Sequence, residues 1–174
     1  MTASTRNVDL PGRLGNSDMT LGSDPRTDPR LAAALTSFGL DGHGAPSPVD
    51  ATSPYEEQLA FCNKAEPGFQ MLFGALFADL PPIDGVARST ETINGVDGNE
   101  ITLYVHRPAA AQGSVPGILH LHGGAMSILT AADQSNVRWR DELAAAGVVA
   151  VGVEFRNAAG VLGPHKFPAG LDDC

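Results

Sequence analysis

The chain has 174 residues, of which 43% are hydrophobic and 18% charged, and a formal net charge of -9. This length and composition are typical of one globular domain and exclude a mainly disordered protein. The acidic balance argues against a nucleic-acid partner, and no apolar run approaches the about 20 residues of a membrane-spanning helix. Two cysteines predict no disulfide framework, and the absence of an apolar leader predicts a cytoplasmic protein.

The first part of the chain is predicted to be an arm followed by a helical cap. Residues 1–27 are polar and lack periodicity, which predicts a mobile arm, with packing as an irregular strap as the alternative. Residues 28–82 carry helical patterns and form the predicted cap. Its first helix has Asp28 as N-cap, Pro29 at the first helical position and Gly39 at the exit.

Two further helices are predicted on either side of Pro67 in this cap. Ser53 and Glu56 fit a capping box that begins the second helix, and Pro67 ends or breaks it. An apolar stripe with three phenylalanines then runs along a third helix, from Gly68 to about Leu80. Such a stripe is typical of a core, and a wall of an acyl-binding pocket is the functional alternative.

Residues 83–174 form the predicted α/β core. The predicted elements are strands at 86–93, 100–107, 118–121 and 148–155 and a helix at 136–146. The first two strands predict an antiparallel edge hairpin with one covered face, and the rest predicts a parallel βαβ unit. In this mixed sheet the last strand, 148–155, is expected to be central. Without the rest of the sheet beside it, this strand is expected to present an open apolar edge. Asp172 and Asp173 are predicted to begin a further helix.

The predicted functional site is the loop that follows the run 118–121. There His122 precedes Gly123, Gly124 and Ala125, so backbone N–H groups can approach a substrate carbonyl and stabilise an oxyanion. The loop lies at the carboxyl end of a strand in an open α/β sheet, where ligands bind. The His122 imidazole can hydrogen-bond the loop backbone and support its shape. A simple tight turn is the alternative interpretation.

Other reactive side chains do not complete a site. His120 and His122 face the same side of a strand, but without a third ligand nearby they predict no metal site. His165 lacks a nucleophile to activate, and a structural role is favoured. Cys174 and Ser17 lack the glycines of a nucleophile elbow, and the 174 residues contain no Gly-x-Ser-x-Gly. No member of a catalytic triad is therefore assigned within this chain.

Four stretches, in this order, resemble the hormone-sensitive-lipase-like branch of the α/β-hydrolases. They are HGGAM at 122–126, LAAAG at 143–147, FRNA at 155–158 and HKFPAGLDDC at 165–174. The resemblance covers roughly residues 28–174. It implies the N-terminal half of an α/β-hydrolase fold, with about the first four strands of an eight-stranded sheet and an N-terminal helical cap.

The resemblance also implies a carboxylic-ester hydrolase that uses a Ser-His-Asp triad and no cofactor. The backbone N–H groups of Gly124 and Ala125 would hold the oxyanion, with Gly123 making the turn. Ala125 stands where the family usually has glycine. The triad of the family lies downstream of the Asp-Cys stretch, so it would come from a downstream segment or a second chain. The implied substrate is a small ester or lactone.

Three arrangements fit this interpretation. A second chain carries the triad, the sequence is part of a longer frame, or the half-domain persists as a non-enzymatic piece. A homo-oligomer is compatible with each. The alternative function, from a different class, is a non-catalytic small-ligand-binding protein or an inactive fragment of the same fold.

Overall fold

The structure, a computed structural model, describes residues 16–174. By its internal contacts the chain divides into two units, Met1–Pro48 and Val49–Cys174. Residues 16–27, part of the predicted arm, form hydrogen-bonded turns, and residues 1–15 of that arm lie outside the described residues. The mobility of the arm and the boundaries of the cap therefore stay predictions.

Helix α1 spans Pro29–Thr36 and begins where the sequence predicts. The Asp28 carboxylate accepts a hydrogen bond from the Arg30 N–H at 2.8 Å, which satisfies a donor left free in the first helical turn. Gly39 follows the helix with a φ of +67°, a conformation that favours glycine. The predicted N-cap and exit glycine are both confirmed.

Helix α2, Tyr55–Phe77, is one continuous helix of 23 residues, so the predicted break at Pro67 is wrong. Proline in a helix interior removes a backbone hydrogen bond and disfavours the helix locally. Contacts outside the helix compensate here, because the adjacent Glu66 is 2% exposed and accepts hydrogen bonds from two loops. Despite its length, neither α2 nor another helix within residues 16–174 is apolar enough to cross a membrane.

The start of α2 also differs from the predicted capping box. Pro54 is the N-cap residue, and it makes no side-chain capping hydrogen bond. The Ser53 hydroxyl instead accepts from the Asp50 N–H at 3.0 Å, and the Ser53 carbonyl accepts from the Gln58 amide at 2.7 Å. A turn upstream of the helix thus engages the serine that the capping box would use, and Glu56 is exposed.

Four strands form one mixed sheet in the order β1-β2-β4-β3. The strands are β1 (Val86–Asn94), β2 (Glu100–Pro108), β3 (Gly117–Leu121) and β4 (Val149–Glu154). The pairs β1–β2 and β2–β4 are antiparallel, whereas β3 and β4 are parallel. Helix α3, Gln134–Ala145, connects β3 to β4. The predicted hairpin, βαβ unit and mixed sheet are confirmed.

The two edges of the sheet differ in character. Strand β4 is central, as predicted, but it has β2 and β3 on its two sides, so the expectation of an open edge on β4 is wrong. The apolar edge belongs to β3, where Ile118, Leu119 and Leu121 are 43%, 56% and 46% exposed. The opposite edge strand, β1, exposes polar residues such as Arg88 and Glu91. Charged side chains protect edge strands from further pairing, and β3 lacks them.

Both faces of β2 are covered, which corrects the prediction of a single covered face. On one face Ile101 packs with Val153 and Phe155 in the hydrophobic core. On the other face His106 is buried, and its Nδ1 lies 2.8 Å from Oδ1 of Asp141 in α3. The alternation of polar and apolar residues in β2 predicts that its polar face is exposed. Polar groups can nevertheless be buried when hydrogen bonds and ion pairs satisfy them.

Arg140 fixes α3 against the sheet. The residue is fully buried, its Nη2 donates to Ala131 O at 2.7 Å, and its Nη1 donates to His120 Nδ1 at 3.3 Å. Its guanidinium carbon lies 5.6 Å from the centre of the Tyr104 ring. A Cβ at Gly152 of β4 would lie 2.6 Å from Arg140 Nη1, so glycine is needed at this close approach.

The helix predicted at Asp172 and Asp173 begins slightly earlier, at Ala169, and Asp172 lies in the first turn of this helix, α4 (Ala169–Asp172). The Asp173 carboxylate accepts hydrogen bonds from Arg156 Nη2 and Asn99 Nδ2, both at 2.8 Å. A cation and an amide from elsewhere in the chain therefore stabilise the Asp173 carboxylate.

Candidate functional site

The loop after β3 turns at Gly124. Its φ is +110°, and a Cβ there would collide with the Ile128 carbonyl oxygen, so only glycine fits. The Gly124 carbonyl accepts from the N–H groups of Ser127 and Ile128 at 2.9 and 3.2 Å. A Cβ at Gly123 would meet nothing within 4 Å. The glycine that this turn requires is therefore Gly124. The sequence analysis assigned the turn to Gly123 instead.

Three residues of this loop other than glycine adopt the left-handed conformation. Ala125, Met126 and Leu129 have φ values of 57°, 54° and 72°. Each such residue costs about 1–2 kcal/mol relative to ordinary helical or extended backbone. Strain of this kind persists only where the surroundings hold it, and it is concentrated at binding and catalytic sites.

The strained loop leaves backbone donors unused. The N–H groups of Gly123, Gly124 and Ala125 make none of the hydrogen bonds found within residues 16–174. Gly123 and Ala125 are exposed and Gly124 is half-buried. Consecutive, fixed and unpaired N–H groups are the donors that an oxyanion hole requires.

His122 is buried where the loop leaves β3. Its Nδ1–H donates to the Gly123 carbonyl at 2.7 Å, and its ring stacks on Phe155 with 4.1 Å between the ring centres. Its Nε2 has no hydrogen-bond partner within residues 16–174, and Oε1 of Glu154 lies 3.9 Å away. The ring thus fixes the first peptide of the loop against the core.

Glu154, at the end of β4, belongs to the same polar cluster. Its Oε1 accepts from the Ala131 N–H at 2.7 Å, and its Oε2 accepts from the Tyr104 hydroxyl at 3.3 Å. Burial raises the pKa of Glu154, and the Ala131 hydrogen bond and the nearby His122 oppose that rise. The sequence analysis missed this carboxylate because it lies within an apolar strand pattern.

The segment after β4 is bonded directly to the loop. The N–H groups of Ala158 and Ala159 donate to the carbonyls of Met126 and Ser127, at 2.8 and 2.9 Å. The FRNA stretch at 155–158 therefore contacts HGGAM at 122–126, which places two of the four resembling stretches in one site.

Two buried side chains hold Leu129 at the end of the loop. Asn157 Nδ2 donates to the Leu129 carbonyl at 2.7 Å, and Glu66 Oε1 accepts from the Leu129 N–H at 2.7 Å. The sequence analysis missed both residues. A signal for Glu66 exists, because it is an acidic residue on the helical face shared by Leu59 and Phe69. An acid on an apolar face predicts a buried partner.

The chain matches solved esterase structures along most of its length. It is 47% identical to brefeldin A esterase, described as a bacterial homologue of human hormone-sensitive lipase, over 93% of this chain and 45% of that chain, with a TM-score of 0.84. Its other solved neighbours include further proteins named as esterases. The resemblance and the N-terminal portion of an α/β-hydrolase fold, both predicted from sequence, are confirmed.

Two further solved esterases agree with this match. A bacterial heroin esterase is 32% identical over 86% of this chain and 41% of that chain, with a TM-score of 0.60. Esterase Est22 is 26% identical over 88% of this chain and 45% of that chain, with a TM-score of 0.72. The chain spans less than half the length of these esterases. No protein-family model and no curated protein matches it.

The two candidate metal-binding histidines contact different partners. His120 Nδ1 accepts from Arg140, and burial together with the charge of Arg140 lowers the pKa of His120. His122 instead uses its Nδ1 on the loop backbone. Within the described part of the chain, no group of three or more His, Cys, Asp or Glu is placed to hold a metal ion.

The remaining candidates do not join the loop after β3. His165 is exposed, and its backbone N–H donates to the Asn157 carbonyl at 2.9 Å. Cys174 is a free thiol whose pKa is raised by partial burial and by the charge of Asp173, which disfavours the thiolate. Ser17 lies in the first unit.

Two cavities lie elsewhere among the described residues. One, of about 260 Å³, is lined by residues that include Phe77, Leu80 and Asp141. The other, of about 220 Å³, is lined by residues that include Tyr104 and His106. None of residues 122–129 lines either cavity. The end of the aromatic stripe therefore borders a cavity that is not continuous with the candidate oxyanion site.

Proposed function

We propose that this chain supplies the oxyanion hole of a carboxylic-ester hydrolase. The observation that carries the proposal is the run of unpaired N–H groups at Gly123, Gly124 and Ala125 in a strained loop at the carboxyl end of β3. A serine gives its proton to the triad histidine and its oxygen attacks the ester carbonyl, whose oxygen becomes negative as the new bond forms. The N–H groups of Gly124 and Ala125 donate to that oxygen. The ester C–O bond then breaks, the alcohol leaves with the proton from the histidine, and water later releases the acid from the acyl-enzyme.

The rigidity of the loop is what makes these donors effective. Donors that are already aimed at the developing charge need no reorganisation during the reaction. His122 supports the first peptide of the loop, and the backbone bonds from Ala158 and Ala159 hold its middle. The chemistry needs no cofactor.

The proposed enzyme takes its Ser-His-Asp triad from a downstream segment or a second chain. Two observations support this. Residues 1–174 contain no Gly-x-Ser-x-Gly, and they cover 45% of brefeldin A esterase. The β3 edge, with exposed Ile118, Leu119 and Leu121, offers a place for further strands to pair.

The proposed substrates are small or medium esters or lactones. Two solved neighbours are named as a brefeldin A esterase and a heroin esterase, and both names describe ester hydrolysis. In the proposed enzyme α2, part of the predicted cap, narrows the entrance to the site.

A fluorophosphonate probe tests the serine chemistry directly. The purified complete protein is treated with the probe and analysed by intact mass under denaturing conditions. We expect the added mass on a polypeptide that carries the missing serine, either a longer form of this chain or a second chain. An unlabelled protein that still binds an apolar ligand would instead support the non-catalytic binding function.

The substitution Gly124→Ala tests the oxyanion hole. Its Cβ collides with the Ile128 carbonyl oxygen at a φ of +110°, so the loop must move. We expect kcat to fall about 100- to 1000-fold with little change in KM, as for loss of an oxyanion donor. Gly68→Ala, on an exposed turn of α2 with open space around it, is the control and should leave kcat unchanged. An unchanged kcat in Gly124→Ala would refute the assignment.

A further inference from the structure

We propose that Glu66 is a positioning residue for the oxyanion hole, a role that rests on the proposed function. Glu66 lies in α2, 63 positions before Leu129, and is 2% exposed. Both of its carboxylate oxygens bond to the backbone of loops that surround the candidate site. The residue does not touch the unpaired N–H groups themselves and would act through the loop.

Glu66 and its neighbour on the helix hold two segments at once. Glu66 Oε1 accepts from the Leu129 N–H at 2.7 Å, and Oε2 accepts from the Val161 N–H at 2.9 Å. One helical turn earlier, Asn63 Oδ1 accepts from the Gly160 N–H at 2.8 Å. This face of α2 therefore joins the end of the oxyanion loop to the segment that follows β4.

The contacts close a ring of hydrogen bonds around the strained loop. The segment held by Glu66 through Val161 also donates, from Ala158 and Ala159, to the carbonyls of Met126 and Ser127. Leu129, held by the other oxygen, is one of the residues with an unfavourable positive φ. When an interaction that holds such a residue is lost, the backbone relaxes toward an ordinary conformation. The adjacent donors at 124–125 then move.

A carboxylate suits this position because it accepts hydrogen bonds on both oxygens. Glutamine has the same shape but presents an NH₂ donor on one side, where it would face either Leu129 N–H or Val161 N–H. Charge pairing does not explain the residue, since none of the ion pairs found within residues 16–174 includes Glu66. Glycine at position 160 leaves room for the Glu66 carboxylate, because a Cβ there would lie 2.5 Å from Glu66 Oε1.

Two variants of the complete enzyme test this role, one by changing the Glu66 side chain and the other by changing a residue that contacts it. Glu66→Gln replaces one acceptor by a donor, and Gly160→Ala displaces the unchanged carboxylate. The control is Glu57→Gln, which is exposed on the same helix. The rate of hydrolysis of a p-nitrophenyl ester is measured. The value of kcat is calculated per active site, and the number of active sites is determined by titration with the fluorophosphonate probe. A trifluoromethyl ketone, whose adduct places an oxyanion in the hole, is the second readout.

We expect kcat per active site to fall about 10- to 100-fold in both variants, with KM within about twofold, because misplaced donors weaken only the transition state. Inhibition by the trifluoromethyl ketone should weaken by a similar factor, and the control should match the parent. A lower melting temperature with unchanged kcat per active site and unchanged inhibition would overturn the proposal. If Gly124→Ala slows the enzyme and these variants do not, the positioning role alone fails. If Gly124→Ala has no effect, the proposed function fails.

Discussion

Ala125 adopts a conformation that glycine adopts at lower cost. Its φ of 57° lies in the left-handed region, where a Cβ is unfavourable by about 1–2 kcal/mol. We expect Ala125→Gly to raise the free energy of unfolding by about 1 kcal/mol, because the strain relieved exceeds the extra entropy that glycine adds to the unfolded chain. Urea denaturation of the complete protein measures the change.

The matched control for this substitution is expected to change the free energy of unfolding in the opposite direction. Ala145 is exposed in α3, where glycine is less favourable than alanine by about 1 kcal/mol. Ala145→Gly should therefore lower the unfolding free energy. A loss of stability in both variants would show that the positive φ at Ala125 stores no strain.

At the residue scale, sequence reasoning found the groups that lie close together in the chain. The run from His122 to Ala125 was predictable because a strand, a histidine and two glycines in succession already indicate a loop with accessible donors. Glu66 and Glu154 were not, because their partners lie 63 and 23 positions away. Their roles depend on how α2 and β4 pack, which no local pattern specifies.

The contact between β2 and α3 makes the stability of the fold depend on pH. Burial and the charges of Arg140 and Arg88 lower the pKa of His106, against the opposing effect of Asp141. Burial alone would raise the pKa of Asp141, but hydrogen bonds from Arg88 and His106 bring it below its usual value. Both groups therefore bind protons more readily in the unfolded chain.

We expect the unfolding free energy to fall as the pH is lowered. The loss begins below the ordinary histidine pKa of 6.5, where the unfolded chain takes up a proton that folded His106 does not. It resumes below 3.8, the ordinary aspartate value, as Asp141 approaches its lowered folded pKa. Each group contributes at most about 1.4 kcal/mol per pH unit.

Urea denaturation between pH 7 and 5 isolates the histidine contribution. His106→Asn retains an amide that can donate to Asp141 but does not titrate, so the slope with pH should become shallower. Equal slopes in the parent and in His106→Asn would contradict the assignment.

At the element scale, periodicity located the helices and strands but not their ends. The strands and α3 were predictable because alternation and helical repeats reflect burial within each element. Pro67 was misjudged because contacts of the neighbouring Glu66 outweigh the local cost of proline. Ser53 was misjudged because a turn at Asp50 engages its hydroxyl first. Both errors come from contacts outside the helix.

The open edge of β3 makes a prediction about the whole molecule. Leu119 is 56% exposed in this segment, and in the proposed enzyme further strands cover it. Leu119→Lys should lower the unfolding free energy of the complete protein by about 2 kcal/mol or more, because a leucine is lost from the interior and a charge enters it. Thermal unfolding with and without the substitution gives the difference.

Val96 provides an exposed control position for the Leu119→Lys substitution. It is 84% exposed in the turn between β1 and β2, so Val96→Lys should change stability by no more than about 0.5 kcal/mol. If Leu119→Lys is as mild as Val96→Lys in the complete protein, no strand covers β3, and the proposed docking of the downstream part is wrong.

The order of the strands could not be read from the sequence, although their number and mixed pairing could. Hydrophobic runs predict strands, but which strand lies at an edge depends on the connections. Here β2 pairs antiparallel with β4 and leaves β3 outside, so the apolar edge is not on the most apolar strand. Pairing between distant segments is a property of the whole sheet.

The pairing pattern also determines when the sheet can form during synthesis. Within the described residues, β1 to β4 pair only with one another, and all of them lie between residues 86 and 154. In the proposed enzyme this sheet can assemble on the ribosome before any covering strand emerges, at about 5–20 residues per second. The interval before the covering strands arrive, from a downstream segment or a second chain, then sets how long the apolar side of β3 is open to other nascent chains and to chaperones.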